Sequence, residues 1–192
     1  MKSVLISIQP KWCELIASGK KTVEVRKTKP KLEVPFKCYI YCTKGNDGKC
    51  FWTEEVFEGK LGRYAIPYVG NGKVIGEFVC DKVYMYGYDQ AFDESMGCYI
   101  DKFGYDITSH ELGQTCLSYE EFEAYGNTHN LYGWHISDLK LYDKPRELSE
   151  FKKPCNHKND CCTCDRYDYI GHRCYDKITR PFQSWGYVES EG

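Results

Sequence analysis

Residues 7–26, S-I-Q-P-K-W-C-E-L-I-A-S-G-K-K-T-V-E-V-R, constrain the fold more than any other stretch of this chain. They predict a short helix, a glycine stop, and then a strand with charge along one side. Pro10 suits the first turn of a helix, where its missing N–H costs nothing. Trp12, Leu15 and Ile16 fall at i, i+3 and i+4 and give one apolar face. Gly19 is placed to end the helix in a left-handed conformation. In K-T-V-E-V-R, strand alternation puts Val23 and Val25 on one face and Thr22, Glu24 and Arg26 on the other. Lys21 sits at the helix-to-strand junction, where a side chain can reach over a cleft. The simpler reading of Glu24 and Arg26 is a solvated pair on an exposed strand face, worth little.

The pattern Gly19-x-Lys21-x-x-Glu24-x-Arg26, preceded by Ser7-Ile8-x-Pro10-x-Trp12, resembles the signature of the ASCH domain family. Val74-Ile75-Gly76-Glu77-Phe78 and Tyr132-Gly133-Trp134-His135-Ile136 look like later strands of the same domain. The resemblance implies an α+β chain built on a small PUA-like twisted β-barrel with flanking short helices. It implies that Lys21, Glu24 and Arg26 line a charged cleft, and that the ligand is RNA or a nucleotide. Lys21 and Arg26 would meet phosphate or base acceptors, and Glu24 would orient Arg26 or accept from an amino group on a base edge. Trp12 or Tyr39 would supply a stacking face.

Some members of the resembled family are small hydrolases that remove an acyl group from a modified cytidine with a lysine, a threonine and a glutamate. Lys21 matches the lysine position. Glu24 stands where the threonine would be and cannot act as a hydroxyl nucleophile. The alternative reading is therefore a hydrolase on a modified nucleoside, or a ribonuclease, with Lys21 and Glu24 as catalytic groups and Glu77 as a second carboxylate. His135 is the best-placed histidine for proton transfer, although a Trp-His pair on a strand more often belongs to core and rim. A third reading is a protein-interaction module acting through the cysteine-rich tail.

With 192 residues the chain holds one domain, or one domain with an appendage. The reading divides it into a barrel domain, 1–146, and an extension, 147–192. Net charge is −2, which argues against a general nucleic-acid coat protein. The distribution matters more. From Lys11 to Lys37 there are eight basic and three acidic residues, a net +5, which leaves −7 for the remainder. A local positive patch on a mildly acidic chain fits a focused anionic site better than extended duplex binding. Val4-Leu5-Ile6 is too short for a signal peptide, and no stretch approaches a membrane span of ~20 apolar residues. A cytoplasmic protein is expected.

Along the chain, strands are expected at 2–8, 21–26 and 37–43, with the helix at 10–18. Gly70-Asn71-Gly72 signals a turn. Lys73 to Tyr86 reads as one long bent strand with Gly76 a candidate bulge. Residues 88–130 are the least regular, apart from a capping box at Ser118-Tyr119-Glu120-Glu121 that opens a short helix. Leu131 to Tyr142 returns to strand, and Lys144-Pro145 is expected to break it.

Twelve cysteines fall into two groups. Cys13, Cys38, Cys42, Cys50, Cys80, Cys98 and Cys116 are scattered, and those on apolar strands read as small buried hydrophobes. Cys155, Cys161, Cys162, Cys164 and Cys174 crowd into twenty residues. A disulfide framework is not expected in a reducing compartment, so clustered thiolates point to metal. Cys161-x-x-Cys164 has the bite of a zinc half-site, and Cys155 and Cys174 would complete four ligands. His157, Cys162 and His172 compete for those places. Structural zinc is the expected cofactor, with an iron–sulfur cluster as the alternative.

Overall fold

The computed structural model describes residues 2–45, 48–60, 62–93, 97–154 and 177–189. In chain order the strands are β1 (Lys2–Ile8), β2 (Val23–Arg26), β3 (Phe36–Cys42), β4 (Trp52–Gly59), β5 (Gly62–Val69), β6 (Val74–Cys80), β7 (Val83–Tyr86), β8 (Tyr88–Asp93), β9 (Cys98–Tyr105), β10 (Leu131–His135), β11 (Ser137–Arg146) and β12 (Trp185–Glu189). The helices are α1 (Pro10–Ala17), α2 (Ser109–Thr115) and α3 (Tyr119–Gly126). The chain is thus mostly sheet with short helices, as the α+β reading expects. Among the described residues the strands form open sheets of five, three, two and two strands, not one hydrogen-bonded ring. No helix among them is long and apolar enough to cross a membrane.

The chain divides into two compact units. The first comprises residues 1–13, 37–78 and 140–192, and the second 14–36 and 79–139.

In the first unit the five-stranded sheet runs in the order β11-β6-β3-β1-β12. β1 lies between a parallel partner, β3, and an antiparallel one, β12. Its run Val4-Leu5-Ile6 is fully buried, which explains why the sequence there is continuously apolar instead of alternating. β12 is the last strand described, and it pairs with β1 from Lys2↔Glu189 to Ile6↔Trp185. Leu5, Tyr39, Tyr41, Val74, Phe151, Ile178 and Val188 form the core. Tyr39 is packed edge-on against Phe151 in that core, so it offers no stacking face to a ligand.

Several local expectations are corrected. The stretch 73–86 is two strands, because β6 and β7 belong to different sheets. Gly76 lies in β6, beside β11. A Cβ there would collide with the Lys140 carbonyl on the neighbouring strand, so glycine is needed for close strand approach. The strand after Ile136 runs through Pro145 to Arg146, which is permitted because β11 is an edge strand and needs no donor on its outer side. The turn at Gly70-Asn71-Gly72 is present, with the Lys73 amide donating to the Gly70 carbonyl. It does not make a hairpin, since β5 turns back on β4.

The second unit carries the three-stranded sheet β2-β10-β7 and the hairpin β8–β9. The hairpin and α2 occupy the stretch that looked least regular in sequence. Val25, Tyr86, Tyr105, Phe122 and Leu131 form its core. Both α2 and α3 open with complete capping boxes, at Thr108 with Glu111 and at Ser118 with Glu121.

Cys13, Cys38, Cys42 and Cys80 are buried, as expected of small core hydrophobes, whereas Cys50 and Cys98 are exposed. Burial pushes the Cys80 thiol up to about 12. Alkylation of the native protein at neutral pH, read by peptide mapping, should therefore modify Cys50 and Cys98 while leaving Cys13, Cys38, Cys42 and Cys80 intact. Modification of Cys80 at the rate of Cys98 would contradict this packing.

Candidate functional site

The second unit brings Lys21, Glu24 and Arg26 together. The chain turns out of α1 at Gly19, which adopts φ +72°, a conformation costly for other residues. The amides of Lys20 and Lys21 both donate to the Leu15 carbonyl, which fixes the backbone just before β2. Thr22 N donates to the Gln114 carbonyl, and Ile136 N donates to the Thr22 carbonyl. Lys21 is thereby held at the C-terminal end of α2. Its Nζ donates to the Thr115 carbonyl at 2.6 Å, where the unpaired carbonyls of a helix end favour a cation.

β2 is paired along one side to β10. Glu24 lies opposite Trp134, and Arg26 opposite Tyr132. β10 pairs in turn to β7, with Trp134 opposite Val83 and Tyr132 opposite Met85. Paired residues share a face, so Glu24, Arg26, Trp134, Tyr132, Val83 and Met85 stand on one side of the sheet. Val23, Val25, Gly133, Leu131, Tyr84 and Tyr86 stand on the other, and Val25, Leu131 and Tyr86 enter the core there.

The charged face is not solvated. Lys21, Glu24 and Arg26 are 3%, 6% and 9% exposed. Glu24 bridges the two cations, with Oε2 3.4 Å from Lys21 Nζ and Oε1 2.8 Å from Arg26 Nη2. The exposed-pair reading of Glu24 and Arg26 is therefore wrong. Alternation identifies which residues share a face but is blind to what covers it. One carboxylate against two cations leaves the three side chains with a net positive charge. Trp134, wholly buried with its ring edge-on to Phe36 at 5.8 Å, walls the Glu24 row.

The remaining candidates lie elsewhere. Trp12 belongs to the first unit, half-buried on α1, with Lys11 Nζ 4.1 Å from its ring centre. Glu77 is also in the first unit, bound by Lys37 at 3.1 Å and by the Tyr142 hydroxyl at 2.7 Å. Burial pushes the Glu77 carboxyl up, but these two partners outweigh it and hold the group below its usual value. His135 Nδ1 is 2.6 Å from Asp81 Oδ1 on the second unit. Cys155, Cys161, Cys164 and Cys174, with His157, Cys162 and His172, lie outside the described residues. Among the described residues no cluster of three or more metal-ligating side chains occurs. Sequence reasoning missed α2 and with it the Thr115 carbonyl that anchors Lys21. The signal was present as Thr108-Ser109-His110-Glu111, a second capping box ten residues before the one recognised.

Residues 6–154 match the family model of the ASCH domain. The chain belongs to the ASCH domain family. Among solved structures it is similar to ASCH from Zymomonas mobilis, at 18% identity and a TM-score of 0.46, over 76% of this chain and 73% of that one. Two single-residue mutants of the same Zymomonas mobilis protein also match. One has 18% identity, a TM-score of 0.47 and coverage of 77% of both chains. The other has 18% identity, a TM-score of 0.46 and coverage of 76% of this chain and 74% of that one. No curated protein matches the chain. In this ASCH domain Lys21, Glu24 and Arg26 form one ion-paired cluster. Breaking a buried pair strands its partners, which costs about 3–5 kcal/mol, against about 0–1 for an exposed pair. Glu24→Gln should therefore lower unfolding free energy by several kcal/mol in urea titrations, while Lys37→Met, at a pair with 39% and 22% exposed side chains, should cost far less.

Proposed function

We propose that the chain binds RNA or a nucleotide through the charged face built around Lys21, Glu24 and Arg26. The observation that carries this reading is the excess of positive charge in a buried, ion-paired cluster. Low dielectric strengthens the pull of such a cluster on an anion, and the fixed pairing spares it reorganisation on binding. Arg26 is the proposed contact to phosphate or a base acceptor, because its planar fork presents several donors at once. Glu24 orients Arg26, and Lys21, fastened to the end of α2, positions Glu24. The exposed Lys27 and Lys29 directly after β2 extend the positive charge to the surface. ASCH membership agrees with a nucleic-acid or nucleotide ligand.

Binding is proposed ahead of hydrolysis. Lys21 Nζ is engaged by a carboxylate and a carbonyl, which suits a positioning group better than a general base. Arg26→Met removes the proposed contact yet leaves Glu24 its partner Lys21. It should weaken binding of fluorescein-labelled decauridylate by about 10–100-fold, the loss expected for a charged hydrogen bond. It should also flatten the salt dependence of log K by about one phosphate contact. Unchanged affinity would overturn the reading. Shortened RNA in the same samples, lost with Lys21→Ala, would replace it with the ribonuclease reading.

We also propose that the tail holds structural zinc through Cys155, Cys161, Cys164 and Cys174. The supporting observation lies at its two ends. Lys152 and Lys177 form an antiparallel bridge, Ile178 N donates to the Phe151 carbonyl, and Glu189 N donates to the Lys152 carbonyl. The ends of the cysteine-bearing segment are thus held side by side, which lowers the entropic cost of closing a ligand set within it. Elemental analysis of purified protein should find one zinc per chain, lost when Cys161 and Cys164 are both replaced by serine. Iron, or no metal, would overturn the assignment.

A further inference from the structure

The charged face of the second unit continues outward into two tyrosines. Tyr132 lies directly opposite Arg26 on β10 and is half-buried. Beside it on β7, Met85 is 65% exposed, so this row of the sheet opens to the surface. Tyr125 reaches the same neighbourhood from α3 and is 39% exposed. Burial pushes its hydroxyl above the usual tyrosine value, and the charges of Arg26 and Glu24 both act on it. Each ring carries an exposed lysine from the segment following β2. Lys27 Nζ is 5.4 Å from the Tyr125 ring centre, and Lys29 Nζ is 5.6 Å from that of Tyr132.

This arrangement differs from the other tyrosines of the unit. Tyr86 and Tyr105 are core residues. Tyr84 also carries an exposed lysine, with Lys82 Nζ 4.3 Å from its ring centre, but it stacks on Tyr86 on the opposite face of the sheet from Arg26. Only aromatic faces near the surface can accept a nucleobase, and only cations on flexible stems beside them can follow the attached phosphate. Tyr125 and Tyr132 meet both conditions, next to an arginine that can read a base edge or a phosphate.

We propose that Tyr132 and Tyr125 form a base-stacking platform beside Arg26, on which a purine or pyrimidine ring lies while Lys27 and Lys29 meet the adjoining phosphates. The inference rests on the RNA or nucleotide reading given above and adds the side chains that would hold the base. Stacking of this kind is tolerant of base identity, so the platform supplies affinity and Arg26 the selectivity. Methionine at position 85 suits such a place, since a flexible thioether adapts to rings of different outline.

The test uses the full chain and decauridylate carrying one 2-aminopurine, whose fluorescence is quenched by stacking on an aromatic ring. Quenching on addition of wild-type protein is expected. Tyr132→Leu should remove most of the quenching and weaken binding about tenfold, and Tyr132→Phe should preserve both. Tyr125→Leu should act in the same direction. An abasic site in place of the 2-aminopurine should weaken wild-type binding as much as Tyr132→Leu does. That arm reads the platform without altering the protein. If uridine monophosphate competes with the same dependence on Tyr132, the ligand is a free nucleotide, and if it does not, the ligand is single-stranded RNA. Either result supports the platform. Binding that is lost with Arg26→Met but unchanged in Tyr132→Leu, with no quenching, would overturn the platform and leave the charged-face reading standing. No binding of any of these probes would overturn both.

Discussion

A carboxylate shared between two buried cations is the constraint on which the second unit depends. Removing three charged groups from water is expensive, and the expense is tolerable only because Glu24 lies between Lys21 and Arg26. The pairing also needs Lys21 to be held in place beside the sheet. That is achieved through Gly19, which turns the chain out of α1, and through the end of α2, which accepts the ammonium. The sheet register then sets Trp134 and Tyr132 beside the acid and the arginine. Cluster, helix end and register are mutually dependent, so a change at any of them is felt at the others.

The first unit is organised by a different requirement. β1 is buried from Ser3 to Ile8 and must be covered on both edges and both faces. The parallel strand β3 covers one edge, and β12, drawn from the far end of the chain, covers the other. Residues beyond 146 are consequently part of this sheet and its core, through Phe151, Ile178 and Val188 as well as β12. The Lys152–Lys177 bridge and the Ile178 to Phe151 hydrogen bond tie the two ends of the segment bearing the tail cysteines.

Much of the fold was legible because short-range chemistry writes it. Pro10 and Gly19 bound α1, Ser118 and Glu121 start α3, and the alternation after Thr22 marks β2. The errors came where a distant neighbour decides. Pro145 is tolerated because β11 lies at a sheet edge, and nothing within residues 137–146 states that. At Gly76 the need for glycine shows only once the Lys140 carbonyl is seen against it. Residues 73–86 look like one strand since the local pattern does not change where the chain passes from one sheet to another. The hairpin β4–β5 is mostly exposed, and so gave no buried stripe to read.

For the candidate site the division is equally physical. Local sequence is enough to put Lys21, Glu24 and Arg26 at a helix-to-strand junction, to set Glu24 and Arg26 on one face, and to make the surrounding segment strongly basic. Those properties follow from helix and strand periods and from residue charge, which act over a few positions. Tertiary structure alone decided that the charged face is buried, that Lys21 is anchored to the Thr115 carbonyl, and that Tyr132 and Tyr125 border Arg26. Those properties depend on segments some 90 to 110 positions away, and an alternating strand carries no record of what will be folded against it.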